Sequence, residues 1–484
     1  MRFALSLAAL SLSATVAAAQ STLSLDEAIN LARRNNPLYL QIANQKRSAE
    51  GQVRRTYAQL LPSLSANMSG RYQETGQQLF QGVALTTSSD VVTSSYGIGL
   101  NYTINSAVLF APGLARANRD AAEADLTGQQ ELLRSFVTQQ YISVLQAEAR
   151  AALQDTLMLT TKGQLDLAKA RMSVGAGTIL DVRRAEVVLG QAEVAALQQH
   201  NTAQVEMLRL FQQLGVTQPT DVKLTTRLTV TPVTFSLDSL KDLATGHNPG
   251  LNALRSREIA AKKGVSVQKG QYAPSLSFST GWGGNTQALT NDGAVLSRTT
   301  SSFVGSRASC FFQDSLRSAV AGMARLPCAA MTLTAADSSA ALAENNRFPF
   351  SFTKAPQSFS VFVSLPLFDN LGRETALQQA IIQRDDAKYA VKGRELALTA
   401  DVTQMYLNLR TAIKTVEMQE VNAARAREEL SFAEERYKVG AVTFLEVTTS
   451  RGNFEQAQIE RLNAIYDYHK AFAQLESAVG RPLR

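Results

Sequence analysis

Four short stretches of the chain alternate apolar and polar residues. Around 62–74, Leu64, Ala66, Met68 and Tyr72 oppose Ser63, Ser65, Asn67, Ser69 and Arg71. Around 94–104, Tyr96, Ile98, Leu100, Tyr102 and Ile104 oppose Ser95, Gly97, Gly99, Asn101 and Thr103. The same pattern returns at 274–284 (Leu276, Phe278 and Trp282 against Ser275, Ser277 and Ser279) and at 357–367 (Phe359, Val361, Val363, Leu365 and Leu367 against Ser358, Ser360 and Ser364). A period of two predicts strands with one apolar face. Elsewhere apolar residues recur at steps of three and four, as in Leu133, Val137, Tyr141 and Val144. This predicts two very long helices, Gly113 to Met172 and Leu371 to Tyr437. Sixty residues of helix reach roughly 90 Å, which calls for neighbouring helices packed as in a coiled coil.

The chain repeats itself. LDEAINLARRNNP (25–37) parallels LDSLKDLATGHNP (237–249), and Pro62 parallels Pro274, at a shift of 212 positions (249 − 37). RMSVGAGTILDV (171–182) parallels RYKVGAVTFLEV (436–447), and Leu214-Gly215 parallels Val479-Gly480, at a shift of 265 (436 − 171). Such internal similarity sets the fold before any residue-level reading. The expected organisation is a leader at 1–19 and a first repeat at 20–216, whose helical hairpin runs over 113–214 with its tip at 173–179. A linker follows at 217–236. A second repeat covers 237–484, with its hairpin over 371–480 and its tip at 438–444. Its two strands are separated by a long loop, 285–356, which holds both cysteines. Pro62, Pro274 and Pro366 fall where strands meet helices, a place where a missing N–H costs little.

The polar strand faces hold Ser, Gly and Asn rather than Lys and Glu, and the apolar faces carry Tyr and Trp. Both features suit a membrane β-barrel. In lipid no sheet edge stays open, and four strands cannot close. Two chains would supply eight strands with a filled interior, and three would supply twelve with room for a lumen. A conduit favours three.

Residues 1–19 carry Arg2, an apolar run and an Ala17-Ala18-Ala19 exit, the marks of a secretory signal peptide. An exported chain with Cys310 and Cys328 in one segment is expected to join them. No later stretch is apolar enough for a membrane helix. The net charge of +7 is interleaved with acids along helices, without the basic block and aromatic platforms of a nucleic-acid binder. No phosphate loop, zinc-protease or nucleophile-elbow motif occurs. His200, His247 and His469 lie apart and read as polar helix-surface or loop residues. No enzymatic chemistry, metal or cofactor is expected.

The duplicated Asn-Pro and Pro-Ser-Leu phrases, SLPLFDNLGR (364–373) and the paired tips resemble the TolC-like outer-membrane efflux proteins across the whole mature chain. The resemblance implies a mainly α fold with a membrane β part. Duplicated helical hairpins form a trimeric α-helical tunnel, and four strands per chain contribute to a 12-stranded β-barrel. It implies an exit duct in the outer membrane, extending into the periplasm, fed by an inner-membrane transporter through a periplasmic adaptor in an efflux or type I secretion system. A soluble periplasmic coiled-coil scaffold or adaptor is the alternative, distinguished by extraction without detergent.

At each tip, Gly175 and Gly440 suit the left-handed conformation that ends a helix. Thr178 and Thr443 are placed to cap the next helix, with Asp181 and Glu446 in its first turn. The resemblance adds roles. Adaptors grip the tips, here Val174, Gly175, Thr178, Val439, Gly440 and Thr443. Glu446 takes the place of an acid lining the entrance, while Thr449 stands where relatives often carry a second acid. Tyr437 and Asp181 match positions that latch the entrance closed, and Val442 replaces a latching arginine.

Overall fold

The computed structural model describes residues 21–80, 83–86, 89–219, 222–230, 235–320 and 323–483. The expected leader lies outside these residues, as does part of the expected linker. In chain order the elements are β1 (Ser21–Leu23), α1 (Leu25–Asn35), α2 (Pro37–Ala58), β2 (Ser63–Gln73), β3 (Gln77–Phe80), β4 (Val83–Thr86) and β5 (Val91–Ile104), then α3 (Ser106–Ser173) and α4 (Ile179–Leu214). After β6 (Val222–Leu224) follow α5 (Leu237–His247), α6 (Pro249–Gly270), β7 (Ser275–Leu289), α7 (Asp292–Ser318), α8 (Ala335–Asn345), β8 (Thr353–Lys354), β9 (Ser358–Ser364), α9 (Gly372–Lys438) and α10 (Phe444–Val479). They form two compact units. One holds the chain up to Arg54 with Gly113–Val265 and Leu377–Arg484; the other holds Arg55–Pro112 and Ser266–Ala376.

The first unit is helical, and each half packs in the same way. In the first half, Ala28 and Ala32 of α1 press on Leu133, Val137, Tyr141 and Val144 of α3 and on Met207, Leu210, Phe211 and Leu214 of α4. In the second, Leu240 and Ala244 of α5 join Leu398, Val402 and Leu409 of α9 and Tyr468, Phe472 and Leu475 of α10. The Asn-Pro phrases have a physical reason. Asn36 Oδ1 accepts the Tyr39 N–H at 3.0 Å, capping α2, while its amide donates to the Gln213 carbonyl at the end of α4 (2.8 Å). Asn248 does the same for α6 through Leu251 (3.0 Å) and for α10 through the Ala478 carbonyl (2.9 Å). The approach is close enough to demand glycine. A Cβ on Gly215 would sit 2.4 Å from the Asn35 carbonyl oxygen, and one on Gly480 would sit 2.7 Å from Pro249 Cδ. Both glycines also have φ in the left-handed region, 74° and 84°.

The second unit is built on an antiparallel sheet in the order β2-β5-β7, with β9 and the short β8 both pairing β7. Its register keeps like with like. Leu64 faces Leu100, Met68 faces Tyr96, Ile98 faces Trp282, Tyr102 faces Phe278, and Phe278 faces Val361. On the other side Ser69 and Ser95 share a hydrogen bond (2.8 Å), as do Thr103 and Ser277 (3.1 Å), and Gly97 and Gly99 face Gly283 and Gly281. Among the described residues no core covers the apolar side: Leu64, Met68, Phe359, Val361 and Val363 are each more than 60% exposed. Edges β2 and β9 each pair on one side only.

Several expected boundaries move. β5 begins at Val91 and β7 runs on to Leu289, because the two pair over their full length. β9 ends at Ser364, opposite Ser275, two residues before Pro366. α3 starts at Ser106, where Asn105 Oδ1 accepts the Val108 N–H at 2.8 Å and opens the helix ahead of Pro112. The segment 285–356 is not a plain loop. Beyond the end of β7 it folds into α7, a 3₁₀ turn at Cys328–Ala330, α8 and β8. Asn291 caps α7 by accepting the Gly293 N–H (2.8 Å), and Thr334 with Asp337 forms a capping box on α8. Cys310 and Cys328 are bonded to each other. Among the described residues no helix is long and apolar enough to cross a membrane.

Candidate entrance and docking site at the hairpin tips

Both tips are closed by the same backbone device. Gly175 has φ 79° and donates to the Met172 carbonyl (3.0 Å), while Ala176 donates to that of Arg171 (2.8 Å). Gly440 has φ 76° and donates to Tyr437 (3.0 Å), while Ala441 donates to Arg436 (2.9 Å). This is the Schellman arrangement, in which a left-handed residue satisfies the last carbonyls of a helix. Val174 and Val439 project from these turns, 77% and 80% exposed. Leu180 and Leu445, in the first turn of the next helix, are also more than half exposed. The tips therefore present paired apolar knobs beside bare backbone.

The following helix is held differently at each tip. At the first, Thr178 Oγ1 accepts the Asp181 N–H (3.2 Å), and the Asp181 carboxylate accepts the Thr178 N–H (3.1 Å) and hydroxyl (2.7 Å). At the second, Thr443 occupies the cap position with extended backbone but its side chain caps nothing, contrary to the sequence expectation. The Glu446 carboxylate accepts instead from Arg436 Nη1 at 3.3 Å, on the helix that precedes the turn. Thr449 Oγ1 donates to the Leu445 carbonyl of its own helix (3.0 Å).

The two tips share one apolar cluster: Leu165, Ala168, Val182 and Ala185 from the first hairpin, and Leu430, Ala433, Tyr437, Phe444 and Val447 from the second, with Val442 packed against it. Arg171 crosses between them. Its Nη1 donates to the Tyr437 carbonyl (2.9 Å), and its guanidinium lies 4.3 Å from the Tyr437 ring centroid. Burial raises the Tyr437 phenol above its ordinary value; Arg171 opposes this and Asp181 adds to it. Tyr437 and Asp181 thus meet electrostatically, while the Asp181 carboxylate accepts from the Thr178 N–H and hydroxyl.

Behind this cluster lies a charged clasp that the sequence reading did not single out. Arg451 on α10, its side chain only 6% exposed, donates to Glu434 on α9 at 2.7 Å. Gln164 of α3 donates to the same carboxylate oxygen (2.9 Å), and Arg451 also reaches the Thr160 carbonyl (3.5 Å). One arginine therefore ties three helices together. Glu455, one turn beyond, has its carboxyl raised by burial, with Arg451 opposing. The signal for the clasp was present in the repeat. The positions equivalent to Glu434 and Arg451 hold Lys169 and Glu186, with reversed charge, and Glu186 pairs locally with Arg183 (2.8 Å).

The histidines stand apart from the tips. His200 lies on a helix surface 3.0 Å from the Asp155 carboxylate, and His247 closes α5 near the Leu243 carbonyl (3.2 Å). His469 corrects the surface reading: it is 1% exposed and stacks edge-on to Tyr468. Among the described residues no cluster of His, Cys, Asp and Glu is placed to hold a metal ion.

The same arrangement of elements occurs in known membrane proteins. A membrane protein from Pseudomonas aeruginosa superposes with a TM-score of 0.70 at 18% identity, over 94% of this chain and 90% of that one. The outer membrane protein VceC from Vibrio cholerae gives 0.68 at 16% identity, over 95% and 97%. The CmeC outer membrane channel of Campylobacter jejuni gives 0.71 at 14% identity, over 94% and 85%. The family model described as outer membrane efflux protein matches residues 28–216 and 315–481, which hold both hairpins and both tips. The chain belongs to the outer membrane efflux protein family.

Proposed function

We propose that this chain is the outer-membrane exit duct of a tripartite efflux or type I secretion system. Three copies bring their sheets together as one 12-stranded barrel in the outer membrane. Their helical hairpins form a tunnel in the periplasm, and the tips receive a periplasmic adaptor and an inner-membrane transporter. The observation that carries this reading is the sheet: its apolar residues are in register across four strands, uncovered by the described residues, and flanked by two open edges. Lipid covers such a face, and pairing of β9 with β2 of the next copy closes such edges. The Gly97–Gly283 and Gly99–Gly281 pairs keep the polar side bare, which suits a wide lumen.

At the tips, Val174, Gly175, Thr178, Val439, Gly440 and Thr443 form the adaptor's grip. Three copies of Glu446 ring the entrance, each carrying Arg436 as its partner, so the ring is made of ion pairs rather than bare carboxylates. Tyr437, Asp181 and Thr449 flank it. No bond chemistry is required of the duct, since the partner transporter supplies the energy.

The test is extraction followed by reconstitution. The account expects a protein that needs detergent, runs as three chains by light scattering, and opens discrete channels in a planar bilayer. A protein that leaves the membrane fraction without detergent and opens no channel would sink the proposal and favour a soluble scaffold.

A further inference from the structure

Helix α7 has one side that the described residues leave uncovered. Val304, Phe311, Phe312 and Leu316 recur at helical steps and are 60%, 46%, 67% and 57% exposed. The opposite side faces inward through Val295, which is buried, and through Phe303 and Cys310, which are half-buried. The surrounding subdomain has a thin core. Among the described residues of α7, the 3₁₀ turn and α8, only Val295 and Cys328 are buried, and the Cys310–Cys328 bond closes a separation of 18 residues. A unit this small cannot bury much surface by itself, and cross-links or assembly usually compensate.

The subdomain is nonetheless fixed to the sheet. The Asn345 amide donates to the Leu289 carbonyl and its oxygen accepts the Leu289 N–H, both at 2.9 Å. Phe352, next to β8, packs edge-on against Tyr96 of β5, with centroids 4.8 Å apart. The chain then continues into β9, one of the two open edges.

Geometry names what covers α7, given the trimer of the preceding section. Twelve strands ~4.8 Å apart and tilted ~40° close into a barrel roughly 24 Å across, with equivalent points of three copies roughly 20 Å apart on its rim. Helix α7 has 27 residues, so it is about 40 Å long. Three helices of that length rooted on so narrow a rim lie within reach of one another. We propose that the Val304–Phe311–Phe312–Leu316 side of α7 packs against the neighbouring copies of this chain, so that the insertion locks the trimer at the rim of the barrel. This rests on the trimeric duct proposed above and assigns the insertion a role within it.

The experiment places a photoreactive benzoylphenylalanine at position 312 of the full chain, in intact outer membranes. Irradiation is expected to yield covalent dimers and trimers of this chain. A second variant, Phe311→Asp with Phe312→Asp, is expected to lose its detergent-resistant trimer at a temperature where the parent keeps it. A parent that is trimeric by light scattering, with a label giving only lipid adducts or none and a double variant as heat-resistant as the parent, overturns the inference and leaves the duct intact. A parent that is not trimeric removes both.

Discussion

The two hairpin tips begin from one phrase and end with different bonds. Their backbones match hydrogen bond for hydrogen bond around Gly175 and Gly440. Their side chains do not. The first tip closes on itself, with Thr178 and Asp181 satisfying each other's helix start. The second leaves Thr443 without a capping bond, turns Glu446 toward Arg436, and buries Phe444 where the first exposes Ile179. The equivalent arginines have parted too: Arg171 reaches across to Tyr437, whereas Arg436 stays on its own hairpin. Duplication supplied one turn twice, and divergence closed the first helix start with its own cap while leaving the second to an ion pair with the preceding helix and the burial of Phe444. A helix start held by an ion pair rather than a cap changes when that pair breaks, which suits the entrance proposed for Glu446.

The comparison breaks most visibly at the clasp. Arg451→Met leaves Glu434 with Gln164 alone. It should lower stability by about 2–3 kcal/mol, short of the roughly 3–5 of a fully buried pair because Glu434 is partly wetted. The equivalent change in the first hairpin, Glu186→Met, removes an exposed pair and should cost a few tenths of a kcal/mol or less. Thermal unfolding compares the two, and equal losses would deny the asymmetry.

Capping gives a smaller contrast. Thr178→Ala should cost about 1 kcal/mol, since it deletes a working cap, whereas Thr443→Ala should cost close to nothing. Hydrogen exchange in the first turns of α4 and α10 reads each directly. A Thr443→Ala variant that frayed as much as Thr178→Ala would show that the second cap is formed after all.

The smallest effect depends on pH. Burial raises the Glu455 carboxyl, so the fold favours its protonated form. Its contribution is intact below the ordinary carboxylate range and is lost as pH rises through the raised value. Glu455→Gln should therefore raise the unfolding midpoint at pH 8 and leave it unchanged at pH 4. A midpoint lowered at pH 8 would mean that Arg451 outweighs burial.

Much of this architecture was legible because periodicity and repetition are local properties of a sequence. The strands declared themselves through alternation at Leu64–Tyr72 and Tyr96–Ile104, and both tips through Gly175 and Gly440. Helix α7 did not, because Ser, Thr and Gly dilute its apolar positions and its exposed side is as hydrophobic as its buried one. The clasp was hidden for another reason: Glu434, Arg451 and Gln164 sit on three helices, and only tertiary packing brings them together. Comparing the repeats position by position would have exposed it, since Lys169 and Glu186 carry the opposite charges. His469 read as polar surface because a histidine's burial depends on which side of α10 faces its neighbours.

The most direct test of the division between tips is the ion selectivity of the reconstituted channel, taken from reversal potentials for the parent, Glu446→Gln, Arg436→Gln and Asp181→Asn. The account predicts that Arg436→Gln unmasks Glu446 and strengthens cation preference, that Glu446→Gln weakens it, and that Asp181→Asn leaves it at the parent value. Equal shifts from Asp181 and Glu446, or no shift from either residue of the Arg436–Glu446 pair, would contradict the claim that the second tip forms the entrance.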